Sequence, residues 1–277
     1  MQFPFNLRLG VFCVLLASAA LCHADTKITV RMVYKDSSKE GSPNAVRTVY
    51  YRSGAMRRKE VANSPLLPSI ANCATGTGFF IDMSSGQYRS YKVAKFRTAE
   101  DIREYLKTSP DNPYHIVFVQ VESKTVDTGE RKTFFGFEAK HLITTTKRAA
   151  ASGGTGGEEI IDGWYIDHDR EDNNCAPESV RAEPFFVVPT LLLDPGTEYP
   201  EYHHTGPLPV GLAVKEIRTE HLAARNGEAA RTLTMEETVE ELSDSPLTPA
   251  MFDLPAGLKE NPQLFRNGGR VPAPQKP

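Results

Sequence analysis

The 277-residue chain lacks the short motifs that announce catalysis. There is no G-x-S-x-G elbow for a nucleophilic serine, no H-E-x-x-H for a metallohydrolase and no C-x-x-C for redox or metal work. The Gly-rich stretch "AAASGGTGGEE" (residues 149–159) has no Lys-Ser/Thr behind it, which excludes a phosphate-binding P-loop. Positive charge is also short: 32 Lys and Arg face 35 Asp and Glu. That balance argues against nucleic acid or an anionic membrane surface as the main partner, because both need a basic footprint. No apolar run is long enough to cross a bilayer as a helix.

The longest apolar run, Leu9–Leu21, follows Arg8 and precedes "CHAD". A short positive segment, an apolar stretch of this length and a small-residue site after Ala24 describe a cleaved Sec-type signal peptide over residues 1–24. The expected location is therefore the periplasm or the exterior, with nothing membrane-spanning after cleavage. Cys13 and Cys22 leave with the leader, so Cys73 and Cys175 remain. In an oxidising compartment an isolated pair reads as one disulfide.

Period-two alternation dominates the rest of the chain. "KITVRMVYK" (Lys27–Lys35) sets Ile28, Val30, Met32 and Tyr34 against polar neighbours, the pattern of a half-buried strand. Residues 46–61 read as a hairpin turning at Ser53-Gly54, and residues 77–93 as another turning at Gly86. One segment breaks the pattern. Thr98–Ser109 has an N-cap threonine, early acids and an Ile102/Tyr105/Leu106 stripe, which predicts a short helix ended by Pro110. A long strand from Tyr114 is expected to turn at "DTGE" (Asp127–Glu130) and return through "RKTFFGFEAKHLI" (residues 131–143). On that return strand Phe135 and Phe137 share the interior face, and Gly136 marks a bulge or a close approach. Residues 160–169 form a further strand carrying Trp164, the single tryptophan. Residues 170–207 read as irregular, and two last strands flank an Asn226-Gly227 turn. The fold class is mainly β: about ten antiparallel strands, one clear helix and long connections. It is expected as one domain over residues 25–259, with a disordered Gly/Pro-rich tail at 260–277.

Two histidine-acid clusters, "DHDRED" (Asp167–Asp172) and "EYHH" (Glu201–His204), offer ligand types that divalent metals accept. His168, His203 and His204 are thus candidate metal ligands if the 170–207 loop folds back. Neither cluster has two ligands at a spacing fixed by helix or strand geometry, so solvated loops are the preferred reading. No cofactor is expected. His141 reads as a satisfied core or edge histidine rather than a general base.

Three stretches together resemble a known family. "TVYYRSGAMRRKEV" (Thr48–Val61), with its G-x-x-R turn, "RKTFFGFEAKHL" (Arg131–Leu142) and "EETVEELSDSPLTPAMFDLPAGL" (Glu236–Leu258) occur in this order in uncharacterised exported bacterial proteins of the LolA-like superfamily. The resemblance implies an incomplete β-barrel: a curved antiparallel sheet with one or a few short helices over its concave side. In the lipoprotein carriers of that superfamily the concavity takes acyl chains. The family offers no catalytic residues to carry over, and its arginine latch matches no particular arginine here. The expected function is a non-enzymatic binding protein for a hydrophobic ligand, a lipid or lipoprotein acyl chain. Phe79, Ile81, Phe118, Phe135, Phe137 and Trp164 are the candidate lining residues. A periplasmic structural or sensory module with a self-filled core, meeting an envelope protein, is the alternative, and a metal-dependent enzyme the third.

Overall fold

The computed structural model describes residues 25–38, 44–62, 66–93, 117–148, 157–168, 175, 198–222, 224 and 229–264. They form one curved, open sheet of 13 strands, the architecture of an incomplete barrel. The strands are β1 (Thr26–Asp36), β2 (Asn44–Ser53), β3 (Met56–Val61), β4 (Leu66–Asn72), β5 (Thr77–Asp82), β6 (Gln87–Lys92) and β7 (Val117–Phe134). They continue with β8 (Phe137–Arg148), β9 (Gly157–Ile166), β10 (Glu198–Thr205), β11 (Leu212–Leu222), β12 (Arg231–Ser243) and β13 (Lys259–Glu260). Across the sheet the order is β10-β7-β8-β9-β11-β12-β1-β2-β3-β4-β5-β6-β13. The leader, the 98–109 helix, the Asn226-Gly227 turn and the tail beyond 264 lie outside the described residues.

The two short hairpins form as the alternation predicts, β2 with β3 and β5 with β6. Four expectations change. The sheet is not wholly antiparallel, since β10 joins β7 and β13 joins β6 in parallel, each at an edge. "LLPSIAN" is not a connection but strand β4, whose register slips between Leu66 and Ser69 around Pro68. A proline without an N–H is accommodated at such an irregularity and not in a continuous ladder. Residues 198–205, assigned to the irregular segment, are strand β10.

The fourth correction concerns the reversal between β7 and β8. Asp127 still pairs with Leu142, and Arg131 with Lys140, so "DTGE" is a bulge inside β7 and not its end. The Asp127 side chain organises that bulge by accepting from the Gly129 amide and from Arg131. The chain turns eight residues later, at Phe135-Gly136, between the paired residues Phe134 and Phe137. Both turn residues have positive φ, 52° and 85°. A two-residue loop with this geometry matches the twist of its flanking strands, and Gly136 supplies the conformation that a side chain resists. Phe135 therefore leaves the shared face with Phe137, and Phe134 takes its place there.

Two main apolar clusters form. The first gathers Ile28, Val30, Trp164, Ile166, Val214 and Val239, with Phe134 and Phe137 packed against it. The second is built around Ile70, Ile81 and Phe252. Phe252 ends a short 3-10 helix, Pro249–Phe252, within a strap that follows β12. Leu247, Met251, Leu254 and Leu258 of the same strap join this cluster. Polar ties hold the strap in place. The Leu247 amide donates to Asp25, Arg58 donates to the Met251 carbonyl, and β13 then pairs with β6. Arg89 donates to the Leu264 carbonyl, so the chain stays docked up to that residue. The Cys73–Cys175 disulfide is formed and closes a separation of 102 residues.

Two substitutions test this arrangement in chemical denaturation. Phe252→Ala empties the second cluster and is expected to cost about 3–5 kcal/mol. Phe135→Asn keeps a residue that tolerates positive φ and is expected to stabilise by about 1 kcal/mol, relieving a left-handed non-glycine residue.

Candidate functional site

Register decides which face of the sheet each side chain occupies. From β2 to β6 the paired residues run Tyr50, Lys59, Ser69, Phe80, Arg89 in one transverse row. The next row on the same face runs Arg52, Arg57, Ala71, Gly78, Tyr91. Their chain neighbours Tyr51, Arg58, Ile70 and Phe79 form a row on the opposite face. That opposite face is the one the C-terminal strap covers. Phe79 and Ile81, expected to line a ligand site, thus pack against the protein's own Phe252 cluster, and Ile81 is 1% exposed.

The face bearing Tyr50 and Phe80 has a different character. Its rings and cations alternate across the strands: the Lys59 ammonium lies 5.7 Å from the centre of the Tyr50 ring, and the Arg89 guanidinium 5.4 Å from that of Phe80. Phe80 and Tyr91 stack at 4.3 Å. Tyr91 lies across Gly78 so closely that a Cβ there would sit 2.3 Å from its ring. Glycine at 78 is therefore a packing requirement, since it lets an aromatic ring lie flat over the sheet. Tyr50, Lys59, Phe80, Arg89 and Tyr91 are half-buried, while Arg52, Arg57, Ser69 and Ala71 are buried. The two rows contain four cations and no acid. Burial pushes the Tyr50 phenol up to about 12, with Glu237 adding to the shift, so it stays a proton donor. Burial also raises Tyr91 and lowers the Lys59 ammonium.

On β7–β9 the candidate aromatics are already engaged by their own protein. Trp164 is 7% exposed. His141 stacks on its indole at 4.6 Å, Lys132 lies 4.2 Å from a ring centre, and Phe134 tilts against it. Phe137 meets the His168 ring edge-on. Phe135, by contrast, is 42% exposed at the hairpin tip. Phe118 is on β7 opposite Tyr199, and its side chain lies outside the described residues.

His141 is satisfied, as expected, but by partners that its sequence neighbourhood does not reveal. Its Nε2 is 2.8 Å from Asp162 Oδ1 and its Nδ1 3.0 Å from Thr128 Oγ1. Asp162 comes from the neighbouring strand and Thr128 from the β7 bulge. A carboxylate, imidazole and hydroxyl in series can carry a proton. Here, though, Thr128 Oγ1 also accepts from the Glu130 amide and lies 3.3 Å from the His141 carbonyl. The series closes on the bulge and orients it.

The candidate metal ligands do not converge. His203 pairs across β10, β7, β8 and β9 in the row Glu122, Lys147, Glu158. His168 lies ten residues further along the chain from Glu158, two past the end of β9, roughly 30 Å at strand rise. His203 bonds Gln120, His204 contacts Ser123, and His168 contacts Asp244. Among the described residues no three His, Cys, Asp or Glu side chains group as a metal site.

No known family matches the chain, and no curated protein is similar to it in sequence. Solved structures with a similar course include one described as PNGF-II, at 13% identity and a TM-score of 0.33. It covers 87% of this chain, which spans only 32% of that protein. Another is a LolA superfamily protein, NE2245 from Nitrosomonas europaea, at 7% identity and a TM-score of 0.29. That match covers 83% of this chain and 90% of the other.

The bulge carboxylate gives a pH test. Hydrogen bonds from Arg131 and from the Gly129 amide hold Asp127 at about 2, against an ordinary 3.8. Folding lowers this pKa, so its stabilisation is present above the unfolded value and is lost as pH falls through the folded one. Asp127→Asn is expected to melt below the wild type at pH 7 and to converge with it as the pH falls from 3.8 to about 2.

Proposed function

We propose that the protein is an exported, non-enzymatic binding protein that holds the apolar part of a ligand against the β2–β6 face carrying Tyr50, Phe80 and Tyr91. The observation that carries this reading is the difference between the two faces of those strands. One is sealed by the chain's own strap. The other presents half-buried rings above Ala71 and Gly78, with the cleared space over Gly78 occupied by a tyrosine ring. Aromatic side chains over small residues suit an apolar ligand of modest width. The lining thus moves one residue along β5, from Phe79 and Ile81 to Phe80. Export is supported by the leader pattern at residues 1–24 and by a disulfide, a bond that persists in oxidising compartments.

Purified, oxidised protein is expected to enhance the fluorescence of N-phenyl-1-naphthylamine. Tyr91→Ala should weaken that binding about tenfold, equivalent to about 1.4 kcal/mol. Absence of enhancement, together with native mass spectra free of bound amphiphile, would remove the reading.

One observation favours a second reading, an interaction module. Phe135 combines a left-handed backbone with an exposed ring at the tip of the β7–β8 hairpin. Strained residues of this kind gather where function requires them. A protein that binds no apolar probe would be assigned to this reading.

A further inference from the structure

We propose that the ligand of the β2–β6 face is an amphiphile with an anionic oxygen head, and that Lys59 binds that head. The inference deepens the proposed function and rests on it. Lys59 sits mid-sheet on β3, flanked in register by Tyr50 and Ser69, with rings on both sides of the row. Among the described residues it meets the Tyr50 ring. Two other part-buried cations find carboxylates, Arg58 with Glu60 at 2.6 Å and Arg218 with Glu216 at 3.2 Å and Glu159 at 3.4 Å, while Arg57 and Arg89 donate to backbone carbonyls. No acid stands in the row of Lys59 or in the next row toward Gly78, and Asp82, on the same face beyond Phe80, is taken up by Ser84 and Ser85. Glu237 acts on Tyr50, whereas burial alone acts on Lys59.

A desolvated ammonium without a counter-charge is unfavourable. An arriving oxyanion removes that penalty and gains a charge-assisted hydrogen bond. Lys59 is half-buried and not sealed off as Arg52 and Arg57 are. Arg89 is not a second grip on the same head. It lies three strands away, roughly 14 Å at strand spacing, and donates to the Leu264 carbonyl. The stacked Phe80–Tyr91 pair lies toward that end. The row therefore offers a charged point and, beside it, an aromatic floor: the two halves of a single-chain amphiphile. A carboxylate and a phosphate share the chemistry that Lys59 recognises.

Displacement of N-phenyl-1-naphthylamine by dodecanoate, dodecyl phosphate and dodecanol, at low salt and below micelle formation, separates the possibilities. The wild type is expected to bind at least one of the two anions about tenfold or more tighter than dodecanol. In Lys59→Met that anion falls to the level of dodecanol, and Lys59→Arg restores most of the preference. Lys59→Met should also melt above the wild type at pH 7, because a buried charge is gone; this shows that the variant is folded. Equal affinity of anion and alcohol for the wild type, or an anion preference that survives in Lys59→Met, overturns the proposal while the apolar site stands. Displacement by millimolar inorganic phosphate alone also overturns it, since the ligand would then be a free oxyanion. If neither dodecanol nor the naphthylamine binds the wild type, the underlying function falls as well.

Discussion

The hydrogen-bond register running from β1 to β6 is the constraint on which the rest depends. Because successive side chains on a strand point to opposite faces, one continuous register assigns every residue of six strands to a side. Here both sides are used. Tyr51, Ile70 and Ile81 turn toward the strap, and Tyr50, Lys59, Phe80 and Tyr91 turn away from it. A slip of one residue between β2 and β3, carried on into β4, would place Lys59 and Arg57 under Phe252 and turn Ile70 out. Burying two cations in an apolar cluster is costly enough to exclude that alternative. The pairs of adjacent aromatics, Tyr50-Tyr51 and Phe79-Phe80, are how the sequence serves two faces at once.

This accounts for which parts of the molecule were legible beforehand. Strand type and hairpin position follow from local alternation, so β1, the β2–β3 pair and the β5–β6 pair were readable. Face assignment at Phe79-Phe80 was not, since a doublet of aromatics satisfies either parity until a partner segment is known. That partner is the Leu247–Leu258 strap, nearly 170 residues later. Its apolar residues were visible as a family-like pattern, without an indication of what they pack on. The β7 bulge shows a different failure. Asp-Thr-Gly carries the composition of a reversal, yet four residues of ladder continue past it to a turn whose first position is phenylalanine. Turn chemistry then pointed the wrong way at both places. His141 shows a third: its partners, Asp162 and Thr128, come from a different strand and from that bulge, so neither could be named from spacing.

The two halves of the sheet divide the work of stability. Around Trp164 the indole, His141, Lys132 and Phe134 occupy one another's surfaces, and the apolar cluster below continues into β1 and β12. That half is self-sufficient. The β2–β6 half has its closed apolar cluster on the strap side, and its other side mixes aromatic rings with positive charge in a partly dry setting.

The strap has one more consequence. An open sheet ends in strands whose outward N–H and C=O groups can recruit another chain, and β6 would be such an edge. Lys259 and Glu260 occupy it as a parallel strand of two residues, followed by the Asn261 side chain on Gln87. So short and fully charged a border gives a second molecule almost nothing to pair with. The segment that packs on one face of β2–β6 also ends the sheet, which keeps an open half-barrel from growing strand by strand into an aggregate.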